Sequence, residues 1–194
     1  MPYTSNVSGT TSAGILEALE NQTAYEQAYR EGRAHIASTK LRTVSSSDKM
    51  HIVMKNPVDS GVKMNLKYRW FESTAKASAI PIKYEAYANP SVIYPNIRPS
   101  ANLWAGGEAS AGVITFGVGN NLTPMDGQEG SDGTIGAGGI RTIVDLPFGL
   151  SPGKSVGFVI SGQGILLTAI QVACSLIWYE EPLTEIDPLL TLSD

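Results

Sequence analysis

The stretch Val62-Lys-Met-Asn-Leu-Lys-Tyr-Arg-Trp70 decides the fold class. Val62, Met64, Leu66, Tyr68 and Trp70 alternate with Lys63, Asn65, Lys67 and Arg69. Successive side chains leave a strand on opposite faces, so this period of two predicts an antiparallel strand with the apolar set buried and the polar set outward.

Similar runs extend in both directions. Met50, Ile52 and Met54 alternate before Asn56-Pro57, and Asp59-Ser60-Gly61 then predicts a hairpin into the Val62 strand. Downstream, Ile80, Ile82, Tyr84 and Ala86 give a third strand, and Ile114, Phe116 and Val118 a fourth. Ile140, Thr142, Val144 and Leu146 follow, then Val156, Phe158 and Ile160 after the turn Ser151-Pro152-Gly153. The last run, Ile165 to Tyr179, is apolar on both faces, which predicts a central strand covered on both sides. Seven or eight short strands with long connections predict an all-β antiparallel β-sandwich of jelly-roll type. An immunoglobulin-like sandwich ranks second, because its Cys–Trp–Cys pattern is missing.

Two segments flank the strands. Residues 1–11 read as a polar arm, and Ser12 to about Ser38 as a short helix with a thin apolar stripe (Ile15, Leu19, Tyr25, Tyr29) that Gly32 weakens. The chain therefore divides into an N-terminal docking or oligomerisation segment (1–48), a sandwich (49–181) and a C-terminal apolar tail (182–194) carrying Leu183, Ile186, Leu189, Leu190 and Leu192.

Composition narrows the function. Of 194 residues, 42% are hydrophobic and only 16% charged, against roughly a quarter in an average soluble domain. Such a surface is neutral polar or covered by other subunits. The net charge of −4 and the lack of a basic patch give no expectation of nucleic-acid binding. No apolar stretch has membrane-span length. The N-terminal sequence has no charged n-region or apolar h-region, so no secretory signal is expected. Cys174, alone and flanked by Val172 and Leu176, reads as a small core hydrophobe.

No catalytic, cofactor-binding or metal-ligating residue is expected. His35 falls at the end of the predicted helix and His51 opens a strand; both read as surface or interface residues. Gly153-Lys-Ser155 lacks the spacing and the following helix of a phosphate loop. Asp126, Glu129 and Asp132 crowd a Gly-rich loop that could offer hard oxygen ligands to Ca²⁺, but without EF-hand spacing. Three sequons (Asn6, Asn21, Asn121) read as coincidental. The long connections 90–111 and 119–139 are candidate contact loops. Tyr84, Tyr87, Tyr94 and Trp104 are candidates to stack on sugar faces, Tyr94 and Trp104 foremost because they lie on a loop, while Tyr84 fits the core better.

The chain also resembles the small jelly-roll virion proteins of tailed bacterial and archaeal viruses, known as head fibres, decoration proteins or turrets. The resemblance lies in the polar arm and short helix, the strand ending Met54-Lys-Asn-Pro57 with its Val58–Gly61 turn, the Leu150–Val159 run and the closing Ile177-Trp-Tyr-Glu-Glu181. It implies a virion component assembled in the host cytoplasm. It further implies a homo-oligomer, trimer or pentamer, partnered by other virion proteins such as the major capsid protein. A receptor- or host-glycan-binding head on the same fold is the alternative. A sandwich-fold carbohydrate-active enzyme ranks third, lacking a His cluster or a carboxylate pair in a cleft.

Overall fold

A computed structural model describes residues 24–45, 47–73, 82–104, 106–135, 142–162 and 170–183. The arm (1–11), the first part of the expected helix and residues 184–194 of the tail lie outside these. Residues 24–30 form helix α1. The strands are β1 (Ala34–Ser38), β2 (Arg42–Val44), β3 (Lys49–Lys55), β4 (Val62–Ser73), β5 (Ile82–Ala88) and β6 (Asn96–Arg98). They continue with β7 (Ala101–Asn102), β8 (Val113–Gly119), β9 (Gln128–Ile135), β10 (Thr142–Leu150), β11 (Ser155–Gly162) and β12 (Ile170–Pro182).

One sheet runs β10-β4-β12-β1-β7, with β2 also paired to β12; the other runs β6-β8-β3-β11-β5-β9. Every pairing is antiparallel. The expected all-β sandwich is present. Between the sheets Met50, Ile52, Met54, Met64, Leu66, Phe71, Phe158, Ile160, Leu176 and Trp178 form one core.

β4 departs from the expected phase. Met64 and Leu66 are buried, but so are Arg69, Phe71 and Ser73, while Tyr68 and Trp70 are only partly buried. The register explains the switch: Trp178 pairs with Leu66 and Ile177 with Tyr68, leaving Lys67 as an extra residue. On the other flank Phe148 pairs with Leu66 and Asp145 with Tyr68, which places Leu146-Pro147 opposite the same point. A β-bulge adds one residue to one strand and so reverses its inward and outward faces beyond it. Pro147 cannot donate to the ladder, and it falls at this irregularity on an edge strand.

Three further expectations are corrected. β3 and β4 are not a hairpin; they belong to opposite sheets, and the 56–61 connection crosses between them. Asn56 anchors that crossing: its buried side chain donates from Nδ2 to the carbonyls of Val62 and Leu150, both at 2.8 Å. The helix does not reach Ser38. Gly32 at φ +73° ends it, with Arg33 N–H donating to Ala28 O and Gly32 N–H to Tyr29 O, a Schellman stop. Residues 34–44, read from sequence with the N-terminal segment, are thus strands of the sandwich. The Gly-rich stretch 119–139 contains β9, paired to β5.

β12 is central, as its two-sided apolar pattern requires. Its inner face carries Val172, Cys174, Leu176 and Trp178 into the core. Its outer face is covered by α1, where Ala28 and Tyr25 pack on Tyr179 and Tyr25 meets the rings of Tyr68 and Tyr179 edge-on.

Candidate functional site

The two connections expected to form a contact surface are fastened together. Asp126 accepts backbone N–H groups from Ser91 (2.9 Å) and Val92 (3.0 Å), and the Ser91 hydroxyl as well. The Ser91 hydroxyl bond, followed by the Val92 amide, holds the Asp126 carboxyl below its usual range. Tyr94 adds a second tie by donating its hydroxyl to Thr123 O at 2.9 Å.

Asp126, Glu129 and Asp132 do not converge. Asp126 clamps the 91–92 backbone, whereas Glu129 and Asp132 lie on β9 opposite Tyr87 and Glu85. Asp132 faces Lys83 at 3.4 Å, and Lys83 reaches Glu85 at 2.9 Å. Among the described residues no group of three His, Cys, Asp or Glu side chains is placed to hold a metal ion. The calcium reading falls because each carboxylate already has its own local role or position.

Both histidines are buried, contrary to expectation. His35 lies on β1, its ring 5.6 Å from that of Trp178 and its Nε2 3.8 Å from Glu180. Burial lowers its pKa against the opposing pull of Glu180. Glu180 in turn accepts Ser110 Oγ, Ala111 N–H and Trp178 Nε1. Ser110, Glu180 and His35 are not a nucleophilic triad, because the carboxylate, not the imidazole, touches the hydroxyl. His51 is packed edge-on to Tyr94, with Nδ1 2.5 Å from its hydroxyl. Tyr94 spends its proton on Thr123 O, so Nδ1 is the donor in that pair and Nε2 is buried with no partner among the described residues. Burial pushes the His51 pKa down to about 4.

This arrangement also removes Tyr94 from the exposed aromatics; it is buried. Tyr84 stacks on Phe71 at 4.9 Å and belongs to the core margin. Tyr87 bonds Glu85 at 3.0 Å. Trp104 remains 48% exposed, edge-on to Tyr29 at 5.7 Å. Its loop is shaped by Asn102, which accepts the Trp104 N–H at 2.8 Å and donates to the carbonyls of Gly32 and Glu108. Cys174 is buried and its thiol pushed up to about 12. Gly153-Lys-Ser155 is the β10–β11 turn, with Gly153 at φ +79° and Ser155 Oγ donating to Pro90 O at 2.6 Å.

Two edges of the sandwich carry features that sequence reading missed. Beside β9 and the end of β10, a groove of about 550 Å³ is lined by Tyr87, Asn89, Gln128, Leu150, Ser151 and Lys154. At the opposite edge Arg42 of β2 and Arg98 of β6 converge, each donating to Thr39 O at 3.0 Å. Their guanidinium carbons lie 5.2 and 5.3 Å from the centre of the Phe116 ring. Leu41, next to Arg42 in the chain, and Ile97, next to Arg98, are exposed, Ile97 by 70%.

No described helix is long and apolar enough to cross a membrane. Comparison with protein-family models finds no match, and comparison with curated proteins finds none either. Fold and geometry define an all-β sandwich with two chemically distinct edges among the described residues.

Proposed function

We propose that this chain is a structural virion protein, a capsid decoration, turret or head-fibre component that forms homo-oligomers on the virus particle and contacts other virion proteins such as the major capsid protein. The observation that carries this reading is the exposed apolar series Leu41, Ile93, Ile97 and Trp104 on a chain with so few charges. Apolar side chains left at an open strand edge, as Ile97 is on β6, suit cover by a partner.

Strand order supports the jelly-roll part of the reading. Taking β1, β3, β4, β5, β9, β10, β11 and β12 as eight successive strands, the sixth, third, eighth and first are neighbours in one sheet. The second, seventh, fourth and fifth are neighbours in the other, with β2 and β6–β8 as additions. The virion assignment itself rests on the resemblance of the arm, turn and closing-strand sequences. Mass spectrometry of gradient-purified particles tests it: the chain is expected in stoichiometric copy number, and its absence from washed particles refutes the assignment.

The second reading, a host-glycan-binding head, is favoured by the half-exposed Trp104 ring beside Tyr29. Aromatic faces of this kind stack on sugar rings. Loss of glycan-array binding in Trp104→Ala, with the particle still assembled, would select it.

A further inference from the structure

Arg42 and Arg98 hold two positive charges against one carbonyl oxygen. Each donates to Thr39 O at 3.0 Å, so the donor nitrogens are at most about 6 Å apart, a distance at which like charges repel. No carboxylate pairs with either among the described residues, and Arg98 Nε is buried without a partner. Lys40, exposed at φ +56°, adds a third cation beside them. Flanking this basic group, Leu41 and Ile97 are 47% and 70% exposed, and β6 is the last described strand of its sheet. An edge strand with apolar and cationic side chains suits an extended segment of apolar and acidic ones.

The chain contains such a segment. Thr184-Glu-Ile-Asp-Pro-Leu-Leu190 has no basic residue, and in extended form Glu185 and Asp187 point one way and Ile186 the other. It cannot reach its own edge. Arg42 pairs with Val172, eleven residues before Leu183, where β12 hands over to this segment. At the strand rise that separation is about 35 Å, whereas Glu185 and Asp187 can extend only about 7 and 14 Å from Leu183. We infer that the β2/β6 edge receives residues 184–187 of a neighbouring copy, with Glu185 and Asp187 on Arg42 and Arg98. This deepens the homo-oligomer reading and rests on it. The contact is head-to-tail, so repetition closes a ring when the rotation allows.

Sedimentation equilibrium of full-length chains tests the contact. Reversing the edge (Arg42→Glu with Arg98→Glu) or the segment (Glu185→Lys with Asp187→Lys) is expected to weaken self-association at least tenfold. All four substitutions together are expected to restore it. Circular dichroism checks that each variant folds; if the reversed edge does not fold, the reversed segment and its rescue by Arg42→Gln with Arg98→Gln carry the test. Wild-type association in either reversed chain would overturn the contact while leaving the oligomer standing. So would compensation of the reversed edge by Glu17→Lys with Glu20→Lys, which would place the N-terminal segment there instead. A wild-type chain that stays monomeric would overturn both.

Discussion

The guanidinium carbon of Arg69 lies 4.5 Å from the centre of the Tyr84 ring, between the two sheets. Phe158 and Phe71 bring their rings to 4.6 and 5.1 Å, so three aromatic faces surround a fully buried cation. Among the described residues its Nε and Nη1 have no hydrogen-bond partner, although the guanidinium also hydrogen-bonds the Tyr84 side chain, and burial lowers its pKa. Cation–π attraction and the Tyr84 hydrogen bond offset part of the desolvation cost, though a charge with no carboxylate partner among the described residues remains expensive.

Arg69→Met, which keeps the stem and removes the charge, is therefore expected to be neutral or stabilising by up to about 2 kcal/mol. Arg69→Lys should destabilise, because an ammonium point charge cannot stack as a planar guanidinium does. Urea unfolding of the three chains decides this. A loss of about 3 kcal/mol or more in Arg69→Met would show that the buried guanidinium is a net stabilising element.

The bulge at Lys67 makes a second prediction that reverses the one from alternation alone. Phe71→Ala should cost about 3–5 kcal/mol, since its ring is fully buried. Trp70→Ala, on the outer face, should cost about 1–2 kcal/mol. Equal losses in denaturant midpoints would mean that the face does not switch.

Before the bulge, β4 is legible in sequence: Met64 and Leu66 are buried as alternation requires. The switch is not legible, because no Gly or Pro in β4 marks it. Its signal is Leu146-Pro147, which has meaning only once β10 is known to pair there. β9 is not legible in sequence because Gln128–Ile135 has no apolar alternation; backbone pairing to β5 makes it a strand. The helix stop at Gly32 was readable, since glycine in the left-handed region ends helices. Tyr94 and the histidines carry no local sign of burial: the His51–Tyr94–Thr123 chain pairs the Tyr94 hydroxyl and His51 Nδ1 inside, while His51 Nε2 and His35 Nδ1 are buried with no partner among the described residues. Arg42 and Arg98 stand far apart in sequence and meet only at Thr39 O, so no local pattern announces that edge.

Acid should loosen the fold through His51. Its folded pKa is about 4 against an ordinary value near 6.5. Between these values the unfolded chain takes up a proton that the folded chain refuses. Stability is then complete above about pH 6.5 and falls as pH drops towards 4, by about 2 kcal/mol after solvent screening of the ring. His35, lowered by burial, leans the same way and leaves a residual slope. In His51→Phe the urea midpoint should change less between pH 7 and pH 4.5 than in the wild type; parallel decline would remove His51 as the cause.

Cys174 should be silent in the native state. A buried thiol pushed up to about 12 offers almost no thiolate at neutral pH. A disulfide reagent is expected to titrate it only after denaturation, and rapid labelling of the folded chain would contradict its burial.

Sedimentation equilibrium of the full-length chain at micromolar concentration tests the proposed homo-oligomer most directly. An exposed Leu41–Ile97 edge and so few charged residues predict a single closed species, a trimer or a pentamer. A monomer whose mass stays constant across that range would contradict it.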